Sequence, residues 1–196
     1  MSTYADDRGF SLVELIVASM LFILVIGGAG SILLSSLSAE RALRGTTSSA
    51  NTAQLAASSL TRGVRNAHVL SLSQPSAGTY VLRVLIVDDA AEGAATAHCE
   101  AWYLGGGEIR TTRSSAAIPL PASPGAVANW TLLADRVTPT AEPMVALDGR
   151  TAQVAFQVAD DEGQATLIRT TALSRQTDPV SGQAALPAPL EEDSCF

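Results

Sequence analysis

From Phe10 to Leu37 the chain reads FSLVELIVASMLFILVIGGAGSILLSSL, apolar throughout except for one charge, Glu14. A helix of that length spans about 42 Å at 1.5 Å per residue, more than the roughly 30 Å of a bilayer core, so the run predicts a membrane-crossing helix. From Ser38 to His68 the chain turns polar. It keeps Leu43, Ala50, Ala53, Ala57, Leu60, Val64 and Ala67 at steps of three, four or seven, one face of a continuing amphipathic helix. "GTTSS" at Gly45 to Ser49 is poor helix material and predicts either a kink or disorder there. Gly27, Gly28 and Gly30 fall within one turn of the apolar run, where they either loosen the helix or let another helix approach closely.

Beyond Pro75 the period changes to two. Strands are predicted over Thr79–Val87, His98–Leu104, Glu108–Arg113, Trp130–Val137, Ala152–Ala159 and Ala165–Leu173. Gly105 to Gly107 and Asp160 to Gly163 read as hairpin turns, and AIPLPASPGAVAN (Ala117 to Asn129) as a surface loop. The class is α+β: a long N-terminal hydrophobic helix packed against a C-terminal antiparallel sheet head.

Composition narrows the function. Against 19 Asp and Glu there are 12 Arg and no Lys among 196 residues, a net charge of −7. That is the reverse of a nucleic-acid footprint, so no direct nucleic-acid partner is expected. Without lysine, a P-loop, a pyridoxal Schiff base and a lysine nucleophile are all excluded. Cys99 and Cys195 are the only cysteines. An even count in a domain outside the cytoplasm points to one disulfide pinning the tail to the core; two free thiols are the alternative.

An acid inside an apolar helix costs roughly 2.5–3.5 kcal/mol at the centre of a bilayer and calls for a partner. An ordinary secretory signal does not fit, because the leader MSTYADDRG is nearly uncharged and the apolar run is too long. Arg8 before the run and Arg41 and Arg44 after it also run against the positive-inside rule. The residues RG followed by FSLVELIVASMLFILVIGG resemble the N-terminus of type IV pilins and pseudopilins. The shared pattern is a short leader ending in a basic residue and Gly, an aromatic first mature residue, and a Glu four positions later.

The resemblance implies a leader over 1–9 cut after Gly9 by a prepilin peptidase, Phe10 as the new and N-methylated terminus, and Glu14 as the assembly acid. It further implies a transmembrane and assembly helix over 10–37, its amphipathic continuation over 38–68 and a β-rich head over 69–196. Glu14 lies one helical turn from the new amine, on the same face. In the resembled family this acid neutralises the amine of a neighbouring subunit. The implied partners are other pilin or pseudopilin subunits, the peptidase, an inner-membrane assembly platform and the membrane itself. The implied location is the cytoplasmic membrane, single-pass with the head outside, and then a surface filament.

CEAWYLGGGEIRTTR, LLADRVT and TTALSRQ are similar, more sparsely, to J-type and W-type minor pilins. Asp6 and Asp7 depart from the usual basic leader. The rival reading is an uncleaved, membrane-anchored extracytoplasmic binding module.

Catalytic signatures are missing. There is no Gly-x-Ser-x-Gly, His-Glu-x-x-His or Cys-x-x-Cys, and the only histidines are His68 and His98. No enzymatic activity, cofactor or metal is expected. His98 and Cys99 are adjacent on a strand and point to opposite faces, so they do not converge on one ion. DDAAEG (Asp88 to Gly93) and DDEG (Asp160 to Gly163) lack the spacing of a calcium loop and read as solvated turns.

Overall fold

The computed structural model describes residues 11–88, 96–140, 143–175 and 195–196. The chain divides into two units, Met1–Arg44 and Gly45–Phe196. Within the first, the helix α1 (Leu12–Asn66) begins; its later residues belong to the second. The apolar segment of α1 is long and hydrophobic enough to cross a membrane, and its most apolar stretch is unburied. GTTSS lies inside the continuous helix, so the alternative of disorder there is not met. Tertiary packing outweighs its weak propensity: Ser49 is buried, and its Oγ bonds the Thr46 carbonyl and lies 3.3 Å from Thr166 Oγ1.

In the second unit nine strands follow among the described residues. They are β1 (Ala67–Ser76), β2 (Thr79–Asp88), β3 (Thr96–Gly105), β4 (Glu108–Ser114), β5 (Thr131–Ala134), β6 (Val137–Pro139), β7 (Val145–Asp148), β8 (Thr151–Ala159) and β9 (Ala165–Leu173). The first five form an antiparallel sheet in chain order. In the second sheet β6 and β7 pair with different stretches of β8, and β9 pairs with β8 over its full length. The architecture is therefore α+β, a long N-terminal apolar helix whose later turns pack on antiparallel sheets.

Three corrections concern boundaries. The helix stops at Asn66, and Ala67 and His68 open a strand where a helix end is predicted. The single strand predicted over Trp130–Val137 is two strands in two sheets. The break is Arg136, the one described non-glycine residue with a left-handed backbone (φ 51°), whose carbonyl accepts the Ala159 amide. The short strand β7 is absent from the sequence reading.

The α1 stripe that enters the core is Ala53, Ala56, Leu60 and Val64, with Gly63 between them. Leu43, on the predicted apolar face, is 68% exposed and does not join the buried stripe. These residues meet Tyr80, Leu82, Trp102 and Leu104 from the first sheet and Val154, Phe156 and Val158 from the second. Gly63 permits the approach: a Cβ there would fall 1.9 Å from Trp102 Cη2. Trp102 Nε1 donates to Ser59 Oγ at 3.0 Å and fixes the indole under the helix.

β2 is buried on both faces, which its run YVLRVLIV allows. Its second face meets the 115–130 loop and the tail through Leu85, Ala101, Ile118 and the Cys99–Cys195 disulfide (Cα–Cα 5.5 Å). Arg83 is buried in that layer. Its Nη1 donates to the Ile118 carbonyl, its guanidinium lies 5.1 Å from the Phe196 ring centroid, and desolvation lowers its pKa.

Asp160 corrects the picture of a solvated DDEG turn. It is 6% exposed, and its Oδ1 accepts the Glu162 and Gln164 amides, closing the β8–β9 hairpin as an Asx turn. Of DDAAEG only Asp88 is described.

Candidate functional site: the start of the apolar helix

The helix begins with Ser11-Leu12-Val13-Glu14. Ser11 Oγ accepts the Glu14 amide at 3.3 Å, and the Leu15 amide donates to the Ser11 carbonyl at 3.2 Å. Ser11 is thus the N-cap and Glu14 the third helical residue, the arrangement of a capping box. S-x-x-E is the sequence signal for it, masked by the apolar run around it. A carboxylate in the first turn also meets the positive end of the helix dipole, a favourable term of about 0.3–1 kcal/mol at a solvated surface.

That does not satisfy a full negative charge in lipid. Among the described residues no cation lies within ion-pair distance of Glu14. Its surroundings are a notch formed with Leu15, Ala18, Ser19 and Phe22. Leu12, Val13, Leu15, Ile16 and Val17 are all more than half exposed, so this helix turn offers both its acid and its apolar flank outward. Among the described residues, then, the helix start holds a carboxylate with no counter-charge on an exposed apolar face.

Further along, Ser19, Ser31 and Ser38 return their hydroxyls to carbonyls three residues back, which keeps these polar groups internally bonded on an apolar rod. Gly27, Gly28 and Gly30 are helical, with open space where a Cβ would stand.

Gly9 and Phe10 lie outside the described residues, so the bond between them has no geometry here. In the head, Cys99 is consumed by the disulfide, and His98 projects from the opposite face of β3 toward Asp88, Glu100 and Arg113. No group of three metal-ligating side chains converges among the described residues.

Residues 5–30 match the family model of the prokaryotic N-terminal methylation motif. That segment contains Gly9, Phe10, the Ser11 cap and Glu14, and the match supports a type IV pilin-like prepilin with a membrane helix. No curated protein and no solved structure matches the chain.

Proposed function

We propose that this protein is a minor pilin or pseudopilin, with a head of the J-type or W-type kind, serving a type IV pilus or type II secretion-like filament. The observation that carries the reading is the methylation motif over residues 5–30, laid on an exposed apolar helix that carries Glu14 in its first turn. Prepilin peptidase cuts after Gly9 on the cytoplasmic side, and the amine of Phe10 is methylated. The helix holds the subunit in the cytoplasmic membrane with the head outside until the assembly platform draws it into a filament.

Joining is selected by charge. In a lone subunit the Glu14 carboxylate is costly in lipid, and so is an unpaired amine. A neighbour whose amine reaches Glu14 relieves both costs in one register only. The protein catalyses no reaction; it is a structural part whose partners are other subunits.

The test is the intact mass of the protein isolated from its native host. The expected mass lacks Met1–Gly9 and carries one added methyl group, and Gly9→Leu keeps the leader because a bulky side chain does not fit a peptidase site built for glycine. A mature chain that retains its first nine residues overturns the proposal and leaves a membrane-anchored β-rich module.

A further inference from the structure

We propose that the cavity beneath the last turns of α1 binds a neutral polyhydroxylated ligand, a saccharide of one or two rings. The cavity measures about 460 Å³, inside the range of roughly 300–1,000 Å³ typical of small-molecule sites. Its roof is α1 at Ser59, Arg62 and Asn66, and its floor is the helix-facing side of β2, β3 and β4.

That sheet face changes character along its length. At one end Leu82, Leu104, Trp102 and Ile109 are buried under the helix. At the other the same alternation brings Asp88, His98, Glu100, Thr111 and Arg113 to the same side, and a void opens instead of a packed core. The side chains of His98 and Glu100 are only 12% and 23% exposed. Polar groups held this deep beneath a helix are costly where apolar residues would close the gap.

The chemistry of the lining selects the ligand. Among the described lining residues Arg62 and Arg113 balance Asp88 and Glu100, so the lining favours an ion of neither sign. Among the described lining residues Ile86 is the sole apolar side chain, and Trp102 is sealed under Gly63, so these residues offer an apolar guest neither cover nor a stacking surface. A hydroxyl both donates and accepts, and the cavity offers both functions side by side. His98 Nδ1 lies 3.0 Å from Asp88 Oδ2 and 3.0 Å from Arg113 Nη2; protonated it donates to the first, unprotonated it accepts from the second. Its Nε2 stands 3.6 Å from Glu100 Oε1. The planar carboxylates and guanidinium groups suit adjacent hydroxyls of a ring. Without a stacking aromatic, affinity falls in the millimolar range, about −4 kcal/mol.

The experiment uses the full chain in a detergent without a sugar headgroup, with maltose and N,N′-diacetylchitobiose as probes. Saturation-transfer NMR reads contact with the sugar protons, and the His98 imidazole resonances report where binding occurs. At least one probe is expected to bind at about 10 mM or below and to shift His98. Arg62→Gln, a change at an exposed helix position that leaves the core intact, and Glu100→Gln are each expected to weaken binding about tenfold, the worth of a hydrogen bond to a charged group. Arg169→Gln on β9, outside the cavity lining, is expected to leave binding unchanged. Absence of transfer to both sugars overturns the proposal, as does binding that survives both cavity variants. Binding of free arginine or glutamate in place of the sugars also overturns it, since that would make the site one for an ion.

Discussion

At the scale of single residues, Glu14 concentrates the most consequence in the least structure. Its amide is capped by Ser11, and its charge has no partner among the described residues. Glu14→Val keeps the helix, since valine costs only a few tenths of a kcal/mol more than glutamate in propensity, and it favours insertion. The variant is expected to reach the membrane normally and to be largely lost from the filament fraction. Co-purification with the other filament subunits measures this, and recovery equal to wild type refutes the pairing role.

An ion pair in the head acts on the folded state alone. The Arg110 hydrogen bond at 2.6 Å holds the Glu108 carboxyl below its ordinary range, with desolvation opposing and Coulomb attraction adding to the effect. A depressed carboxyl pKa contributes stability above the unfolded value, near 4.3, that is lost as pH falls through the folded value. Both partners are partly solvated, so the contribution is small and salt-screened. Glu108→Gln is therefore expected to lower the unfolding midpoint slightly at pH 7 in low salt. The gap closes on acidification below pH about 4; a gap constant across pH contradicts the assignment.

At the scale of elements, Gly63 and Trp102 settle how close helix and sheet come. Glycine to alanine in a helix interior normally gains up to about 1 kcal/mol, yet here the methyl would stand 1.9 Å from the indole. Overpacking of this kind costs about 1–3 kcal/mol, so Gly63→Ala is expected to be net destabilising in chemical denaturation, and a stabilised variant would show that the helix can lift without penalty.

Elements were legible where their period was strong. The apolar run, the β8–β9 hairpin and the turn at Gly106 and Gly107, both left-handed, follow from residue type alone. β1 did not, because HVLSLSQPS mixes half-buried serines with Pro75 and carries no clean alternation of burial. Nor did the switch between sheets at Arg136, where an ordinary arginine takes a backbone that sequence assigns to glycine or asparagine. Glycine and serine on the buried helix stripe were missed because their burial reflects a near neighbour, Trp102 or Thr166, which only the tertiary pairing reveals. The cavity floor was unreadable for a related reason: alternation places His98 and Glu100 on one face, but Asp88 and Arg113 join them through strand register.

At the scale of the molecule, the head depends on a long closure. Cys99 and Cys195 are 96 residues apart in sequence, and a bridge of that span restricts the unfolded chain by about 4 to 5 kcal/mol in the chain-entropy account. The double change Cys99→Ser, Cys195→Ser is expected to lower unfolding stability by about 2–5 kcal/mol. Urea titration followed by the fluorescence of Trp102 and Trp130, the only tryptophans, reads the head alone. An unchanged midpoint would mean that the buried layer around Leu85, Ala101 and Ile118 holds the tail without the bond.

The same bridge sets an order of events during biosynthesis. At roughly 5–20 residues per second, Cys195 leaves the ribosome about 5–20 s after Cys99, and during that interval the first thiol has no proper mate. Locking the head therefore waits on the second cysteine, and a subunit passed onward before the two are oxidised together would carry an unlatched head.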